Sequence, residues 1–443
     1  MLGAIERRVA GLIRPIPRGL FIVLVVLYLG LRLWMATLPG YVNDVQSYKE
    51  WSIDTALAGI PRAYEASRVD YPPLYLYVLW TIGRGYVSGT GGIEDSTLLT
   101  FLIKLPHVVF DLALGFLLMI AVGGRSTWGA GRDTDGYARW AALLFWLNPA
   151  TLMGSAYWGQ PDGVHSAFAF AAILAMGASR TGSAGALLSA GGLMKPLAAP
   201  LVPLLAVSAW VRREGRGFVL CGLGGLLTAV VVFIPWIVTG RIEAVLRKVL
   251  LDVEAMPFSS VNGHSIWWIL NPWGFANEPW LGPLTTKQVG LILMLSAVIF
   301  VLVTLVRARR RLRDADAATW SSTLMLASAA TTASFFWFST HMHENHLFMA
   351  IPFLLAVAGR SRGLAWLFVA ASLASFANMF LHDPDLPYRL PGPLSAFTGV
   401  VDPHMQKRYY TWLQFVGSFL NALVVGVVAI GTLWQFHRRC REL

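Results

Sequence analysis

Asp44 follows the first long apolar run of the chain, residues 20–38, inside the stretch Tyr41-Val-Asn-Asp-Val-Gln-Ser-Tyr-Lys-Glu-Trp51. A carboxylate where an apolar run meets water, ahead of Tyr, Trp and a Tyr71-Pro-Pro-Leu-Tyr75 segment, is not ordinary loop grammar. Similar junctions carry Asp70 and Tyr71, Lys104, Trp158 with Gln160 and Asp162, Lys195, the run His343-Glu344-Asn345-His346, and Arg408. Carboxylates, imidazoles and cations gathered on one side of a membrane suit a substrate that carries an anion and arrives in the membrane plane. A lipid phosphate fits that description.

The elements that must hold these residues are membrane helices. Of 443 residues 56% are hydrophobic and only 13% are charged, with a mean hydropathy of +0.58, too little charge to cover a soluble protein of this size. Arginines cluster at 7–18, 125–139, 180, 212–216, 307–313, 360–362 and 438–441, and these segments hold 21 of the 29. They recur at the ends of alternate apolar runs, as expected of cytoplasmic loops. Topology and contact with lipid head groups account for them, so no nucleic-acid partner is expected.

With those clusters inside, spans fall at 20–38, 98–122, 139–155, 163–178, 184–194, 197–210, 218–239, 289–306, 319–338, 347–358, 364–381 and 410–436. The expectation is an all-α integral membrane protein, one multi-pass domain over residues 1–443, with about twelve transmembrane helices and both termini cytoplasmic. The first run lacks a small-residue cleavage site and reads as the first span rather than a cleaved signal. Cys221 and Cys440 offer no disulfide framework. The runs either side of Lys195-Pro196 are too short to cross alone at about 1.5 Å per residue, which predicts a hairpin with a buried tip. Residues 39–97 and 240–287 become the first and fourth outer loops, and their Pro, Trp and Tyr content predicts interfacial helices. All six lysines and every candidate residue named above then fall on the extracytoplasmic side.

The ordered set of Asp44, Asp70-Tyr-Pro-Pro-Leu74, Lys104-Leu-Pro106 with Asp111, Trp158-Gly-Gln-Pro-Asp162, Met194-Lys-Pro196 and His343-Glu-Asn-His346 resembles the polyprenyl-phosphate-dependent glycosyltransferases of the GT-C superfamily. Within it the set is most similar to bacterial relatives of the mannosyltransferase that adds the second mannose in glycosylphosphatidylinositol assembly. The dolichyl-phosphate-glucose glucosyltransferases share the Tyr-Pro-Pro-Leu element. The resemblance runs from Asp44 to His346 and departs at Asn345, where Arg or Lys is expected. It implies a GT-C-type bundle in the bacterial cytoplasmic membrane, a polyprenyl-phosphate sugar donor, a lipid-linked or glycan acceptor, and inverting transfer of a hexose, with mannose favoured. It implies Asp44 as the base. No cofactor or metal is implied, because side-chain cations can neutralise a lipid monophosphate leaving group; Lys195, His343, His346 and Arg408 are those cations. Asp70, Tyr71, Lys104, Trp158, Gln160, Asp162 and Glu344 complete the expected substrate site.

Each assignment has a plainer competitor. Asp44 and Asp162 stand where helix-capping residues stand, and Lys195 and Arg32 can snorkel. His343 and His346 at i, i+3 allow a metal reading for which no further ligand is placed. His107 and Asp111 at i, i+4 can satisfy each other. The pairs Asp133/Asp135 and Asp314/Asp316 read as solvated charge, and Asp383-Pro-Asp385 as a turn. A transporter or lipid-linked-sugar flippase is the rival function, although only Asp111 among the charged residues is central to a span.

Overall fold

The computed structural model describes residues 15–123, 134–250, 257–383, 400–402, 407–409 and 411–443. Helix dominates throughout. Among the described residues six helices are long and apolar enough to cross a membrane: Arg18–Ala36, Thr97–Gly123, Leu201–Val238, Thr286–Arg307, Arg362–His382 and Trp412–Glu442. The multi-pass helical membrane class is as expected, and length and composition single out six helices against the twelve spans expected. The other predicted runs also coincide with helix, among them Thr134–Trp146, Asp162–Gly177, Thr181–Met194, Ala317–Phe338 and Ala350–Ala358. Those elements are short or rich in small and hydroxyl residues. In Ala317–Phe338 the hydroxyls of Ser328, Thr331 and Thr332 return to the carbonyls of Leu324, Ala327 and Ser328 at 2.9 Å. Such back-bonding satisfies the hydroxyl inside the helix that carries it, so this almost wholly buried element can serve as the centre of the bundle.

The 38-residue Leu201–Val238 segment is two helices. Arg213 (φ −132°) and Glu214 (φ 53°, ψ −148°) leave helical geometry between them, and Arg313 fixes the Glu214 carboxylate at 2.6 Å. The hairpin predicted around Lys195 is present: Thr181–Met194 ends at an extended Lys195, and Pro196–Ala198 starts the return. The Thr181–Met194 arm touches, backbone to backbone, the helix that follows the break at Glu214. A Cβ on Gly185 would lie 1.9 Å from the carbonyl oxygen of Cys221, so only glycine permits that approach.

Within residues 39–97 the two longest helices are Val42–Ala58 and Pro73–Thr90, the second opening with proline at its first position. They pack on each other through Tyr48, Trp51, Tyr75, Leu76 and Leu79, in an apolar cluster that Leu99, Ile103, Val164, Met194 and Trp236 of neighbouring helices join. The 240–287 segment carries the helices Ile242–Leu250 and Ile266–Leu270. It also forms a small antiparallel hairpin, Pro279–Leu281 with Leu284–Thr285, turning through Gly282 at φ 59°. That turn stands in the sequence as Leu-Gly-Pro-Leu, between strands too short for alternation to register.

Two sequence expectations are corrected in the bundle interior. Arg32 does not snorkel; it is wholly buried, ion-pairs with Asp111 and donates to the carbonyl of Thr151 at 2.8 Å. Ser155 bonds the same carboxylate. Asp111 is therefore satisfied from other segments, and His107 turns to the hydroxyl of Tyr75 at 3.1 Å. Spacing along one helix could not show a partner on another. Removing one member leaves the other charge buried and unpaired, so Arg32→Met or Asp111→Leu alone is expected to destabilise by about 3–5 kcal/mol. The double replacement should recover most of that loss. Thermal unfolding of the detergent-solubilised chain checks the ordering, and a double variant no more stable than either single one refutes it.

Candidate active site

The residues expected to do chemistry are delivered by a break in regular helix. After Thr134–Trp146 the chain passes through Pro149–Thr151 into a π-helical turn, Leu152–Tyr157, and emerges as Trp158-Gly-Gln160. A π-turn adds a residue per turn and so re-aims the side chains C-terminal to it. This one is held from both sides. Ser155 joins the Arg32–Asp111 pair, and the ammonium of Lys104 donates to the carbonyl of Tyr157 at 2.7 Å and to that of Leu38 at 2.6 Å. Lys104 thus clamps the end of the first helix to the π-turn, and it is completely buried. The fit needs glycine at 40 and 159, both at positive φ (78° and 83°). A Cβ on Gly40 would come within 2.6 Å of the Lys104 ammonium.

Above this clamp Asp44 enters the first turn of Val42–Ala58. Tyr41 occupies the N-cap and donates its N–H to the carbonyl of Trp158, while its ring lies 4.7 Å from the Trp158 ring. The Asp44 carboxylate accepts from the Gln160 side-chain amide. Gln160 offers its carbonyl to Lys195 at 3.5 Å and to the Tyr48 hydroxyl at 3.4 Å. Lys195, 7% exposed at the hairpin tip, pairs with Asp162 at 2.7 Å and lies 5.8 Å over the Tyr71 ring. Asp162 takes further bonds from Asn345 at 2.6 Å and His165 at 3.4 Å. Trp158 donates to Asp383 at 2.5 Å. Five separated stretches of sequence thereby meet within one hydrogen-bonded chain, with Tyr48, Tyr71 and Tyr75 as an aromatic wall beside it.

The histidine motif closes the far side. His343 and His346 have ring centroids 5.1 Å apart, and His343 is more than a third exposed, while Glu344 is buried and accepts from Asn262. The loop carrying Asn262 is tied down by the Val261 and Gly263 N–H groups, both donating to the carbonyl of Met342 at 3.0 and 3.1 Å. Asn262 (φ 58°) and His341 (φ 61°) sit in left-handed backbone, a conformation that non-glycine residues hold only where their surroundings enforce it.

Residues 69–335 match the model of glycosyltransferase family 87, about three-fifths of the chain. The chain belongs to glycosyltransferase family 87. It is therefore a multi-pass membrane glycosyltransferase. No curated protein matches it. The matched span includes Asp70, Tyr71, Lys104, Trp158, Gln160, Asp162 and Lys195, and leaves Asp44, His343, Glu344 and His346 outside.

In this family 87 member the predicted residues divide by place. Asp44, Tyr71, Gln160, Asp162 and Lys195 come together, joined by His343 and His346 through Asn345. Trp158 and Lys104 sit beneath them as supports. Asp70 lies at the exposed edge, and Glu344 is turned to Asn262. Arg408 falls on the short strand Lys407–Tyr409, paired with Val400–Asp402; its side chain lies outside the described residues, as do Asp133 and Asp385. Neither carboxylate of the central cluster caps its own helix. Sequence reasoning gave no role to Tyr48, although it stands in the stretch that follows Asp44, did not find His165 or Asn262, which stand in no motif, and noted Asn345 only as a departure; its amide supplies to Asp162 the donor that a Lys or Arg would otherwise bring.

Burial pushes the carboxyl of Asp44 up to about 6, with Asp70 and Asp162 adding repulsion while Lys195 and the Gln160 hydrogen bond pull it down. Although one side of Asp70 is open to solvent, the atoms crowded around its carboxyl raise it too, against Lys195 and Lys248. Among the described residues no three His, Cys, Asp or Glu side chains converge as a metal-binding set. Asn345→Leu should cost about 1–3 kcal/mol, because the buried Asp162 carboxylate loses a donor. Asn345→Lys keeps a donor and should cost less. Thermal unfolding of the two variants side by side tests this, and equal losses would show that the amide bond to Asp162 is not what Asn345 contributes.

Proposed function

We propose that this glycosyltransferase moves a hexose, with mannose favoured, from a polyprenyl-phosphate carrier to a lipid-linked or glycan acceptor on the extracytoplasmic face of a bacterial cytoplasmic membrane. The relationship proposed within the GT-C superfamily is to the second-mannose enzymes of glycosylphosphatidylinositol assembly. The acceptor hydroxyl attacks the anomeric carbon, its proton passes to the Asp44 carboxylate, the anomeric carbon–oxygen bond to phosphate breaks, and the lipid phosphate leaves with inversion. No metal enters this scheme. A lipid monophosphate is a good enough leaving group for Lys195, His343, His346 and Arg408 to stabilise.

The observation that carries the reading is the setting of Asp44. Its carboxylate is half-buried, aimed by Gln160, and raised to about 6, so it is both ionised near neutrality and basic enough to accept a proton. Tyr71 and the aromatic wall beside it give an apolar surface on which a sugar ring can rest. Asp162, with Lys195, Asn345 and His165 on it, holds the site together.

Membranes containing the chain should transfer label from polyprenyl-phosphate-mannose to a lipid or glycan fraction, and Asp44→Asn should lower the rate by about 10²–10⁴. Undiminished transfer by that variant would remove Asp44 from the mechanism, and sugar flux without a covalent product would make the protein a transporter. The pH profile offers a second check. Only the ionised carboxylate accepts a proton, so kcat/KM should rise with pH through about 6 and then level. Gln160→Leu deletes a hydrogen bond that favours the ionised form. Its limb should therefore move to higher pH, and a shift to lower pH would contradict the assignment.

A further inference from the structure

The arginine-rich end of the bundle contains a cavity of about 660 Å³ between the turn joining Ala350–Ala358 to Arg362–His382 and the last turns of Trp412–Glu442. It is remote from the Asp44 cluster. Ser322, on its wall, is sixteen residues from Phe338 at the other end of the same helix, a rise of about 24 Å.

Two guanidinium groups, Arg360 and Arg439, line this cavity and stand close enough to act on each other. Burial and the charge of Arg439 together push the Arg360 guanidinium down to about 10. Among the described residues neither has a carboxylate within ion-pair distance, and the Nε–H of each is buried without a partner. Asp316, the acidic group that acts on Arg360, already accepts the N–H groups of Ala318 and Thr319 at 2.8 Å and the Thr319 hydroxyl at 2.9 Å. Arg438 is matched by Glu442 at 2.6 Å and does not share the deficit. Like charges held together with unmet donors are relieved by an anion that accepts from both. The start of Arg362–His382 opens on the same space through Ser361 and Gly363, adding the positive end of a helix dipole. Trp434, more than half exposed, stands at its wall, the side chain that marks the depth of lipid head groups.

We propose that this cavity binds a phosphate-bearing group through Arg360 and Arg439, supplied by the head group of an anionic membrane lipid or by a soluble phosphate. The volume suits a head group, and basic pockets between helices at a membrane surface take such ligands. Nothing in this depends on the transfer reaction.

Equilibrium binding to the purified full chain in detergent tests it, with fluorescent phosphatidylglycerol, fluorescent phosphatidylcholine and labelled inorganic phosphate as probes. If the source is lipid, phosphatidylglycerol binds at least about ten-fold more tightly than phosphatidylcholine, and R360Q/R439Q abolishes the preference. If the source is soluble, inorganic phosphate binds and the same variant loses it. R360K/R439K keeps the charge and should retain part of the binding, and size-exclusion profiles show whether each variant is folded. Equal binding of the two lipids together with no binding of phosphate overturns the proposal. So does binding that a folded R360Q/R439Q chain retains in full.

Discussion

The Lys195–Asp162 pair is the interaction on which the arrangement of this end of the molecule depends. Both groups are almost wholly buried, and withdrawing two charges from water is recovered only when the geometry is good and the remaining lone pairs are filled. Filling them brings the chain together. Asp162 stands at the start of one helix, Lys195 at the tip of a hairpin, and Asn345 arrives from the segment after Ala317–Phe338. Gln160 then spans from Lys195 to Asp44, so the position of Asp44 is set by charge compensation elsewhere and not by its own helix.

A second polar network supports the first from below. Arg32, Asp111 and Ser155 fill one level, and Lys104 reaches two carbonyls one level nearer the site. In hydrocarbon an unmet carbonyl costs several kcal/mol, and a π-turn presents such carbonyls. An ammonium group delivered to Tyr157 makes the irregular backbone tolerable, and the irregular backbone in turn is what places Trp158 and Gln160. The two levels share the Thr97–Gly123 helix on one side and the π-turn on the other. A change at Arg32 is therefore felt at Asp44 through backbone position and not through charge.

Much of the fold was legible because hydrophobic runs and arginine clusters are one-dimensional signals. The hairpin at Lys195 could be seen from the length of its arms, and the break at Arg213 and Glu214 from the gap between runs 197–210 and 218–239. Partners across helices were not legible. Nothing in the spacing of His107 and Asp111 says that Tyr75 and Arg32 will take them from each other. The site was half visible: motif residues converge, yet nothing in the stretch after Asp44 singled out Tyr48, and His165 and Asn262, which also complete their hydrogen bonds, lie in no recognisable pattern. Lys104 was expected to reach the site, but sequence could not tell an ammonium that faces a cavity from one that closes two carbonyls.

The charge balance of the site bears on how the proposed reaction would handle a phosphate. Lys195 meets Asp162 at 2.7 Å, so the pair together is close to neutral, and a third partner approaching Lys195 competes with a carboxylate already in contact. Had Asn345 been Lys or Arg, Asp162 would face two cations and the cluster would carry a spare positive charge. With a neutral amide there, that surplus is missing. In the proposed reaction the leaving phosphate must then compete with Asp162 for Lys195 and draw also on His343, the more open of the two motif histidines. The raised carboxyl of Asp44 has its origin in burial, which outweighs Lys195 and the Gln160 hydrogen bond, with Asp70 and Asp162 adding smaller repulsions. A site with a surplus cation would bind the phosphate more strongly and hold Asp44 as a weaker base, so the amide at 345 trades anion affinity for basicity.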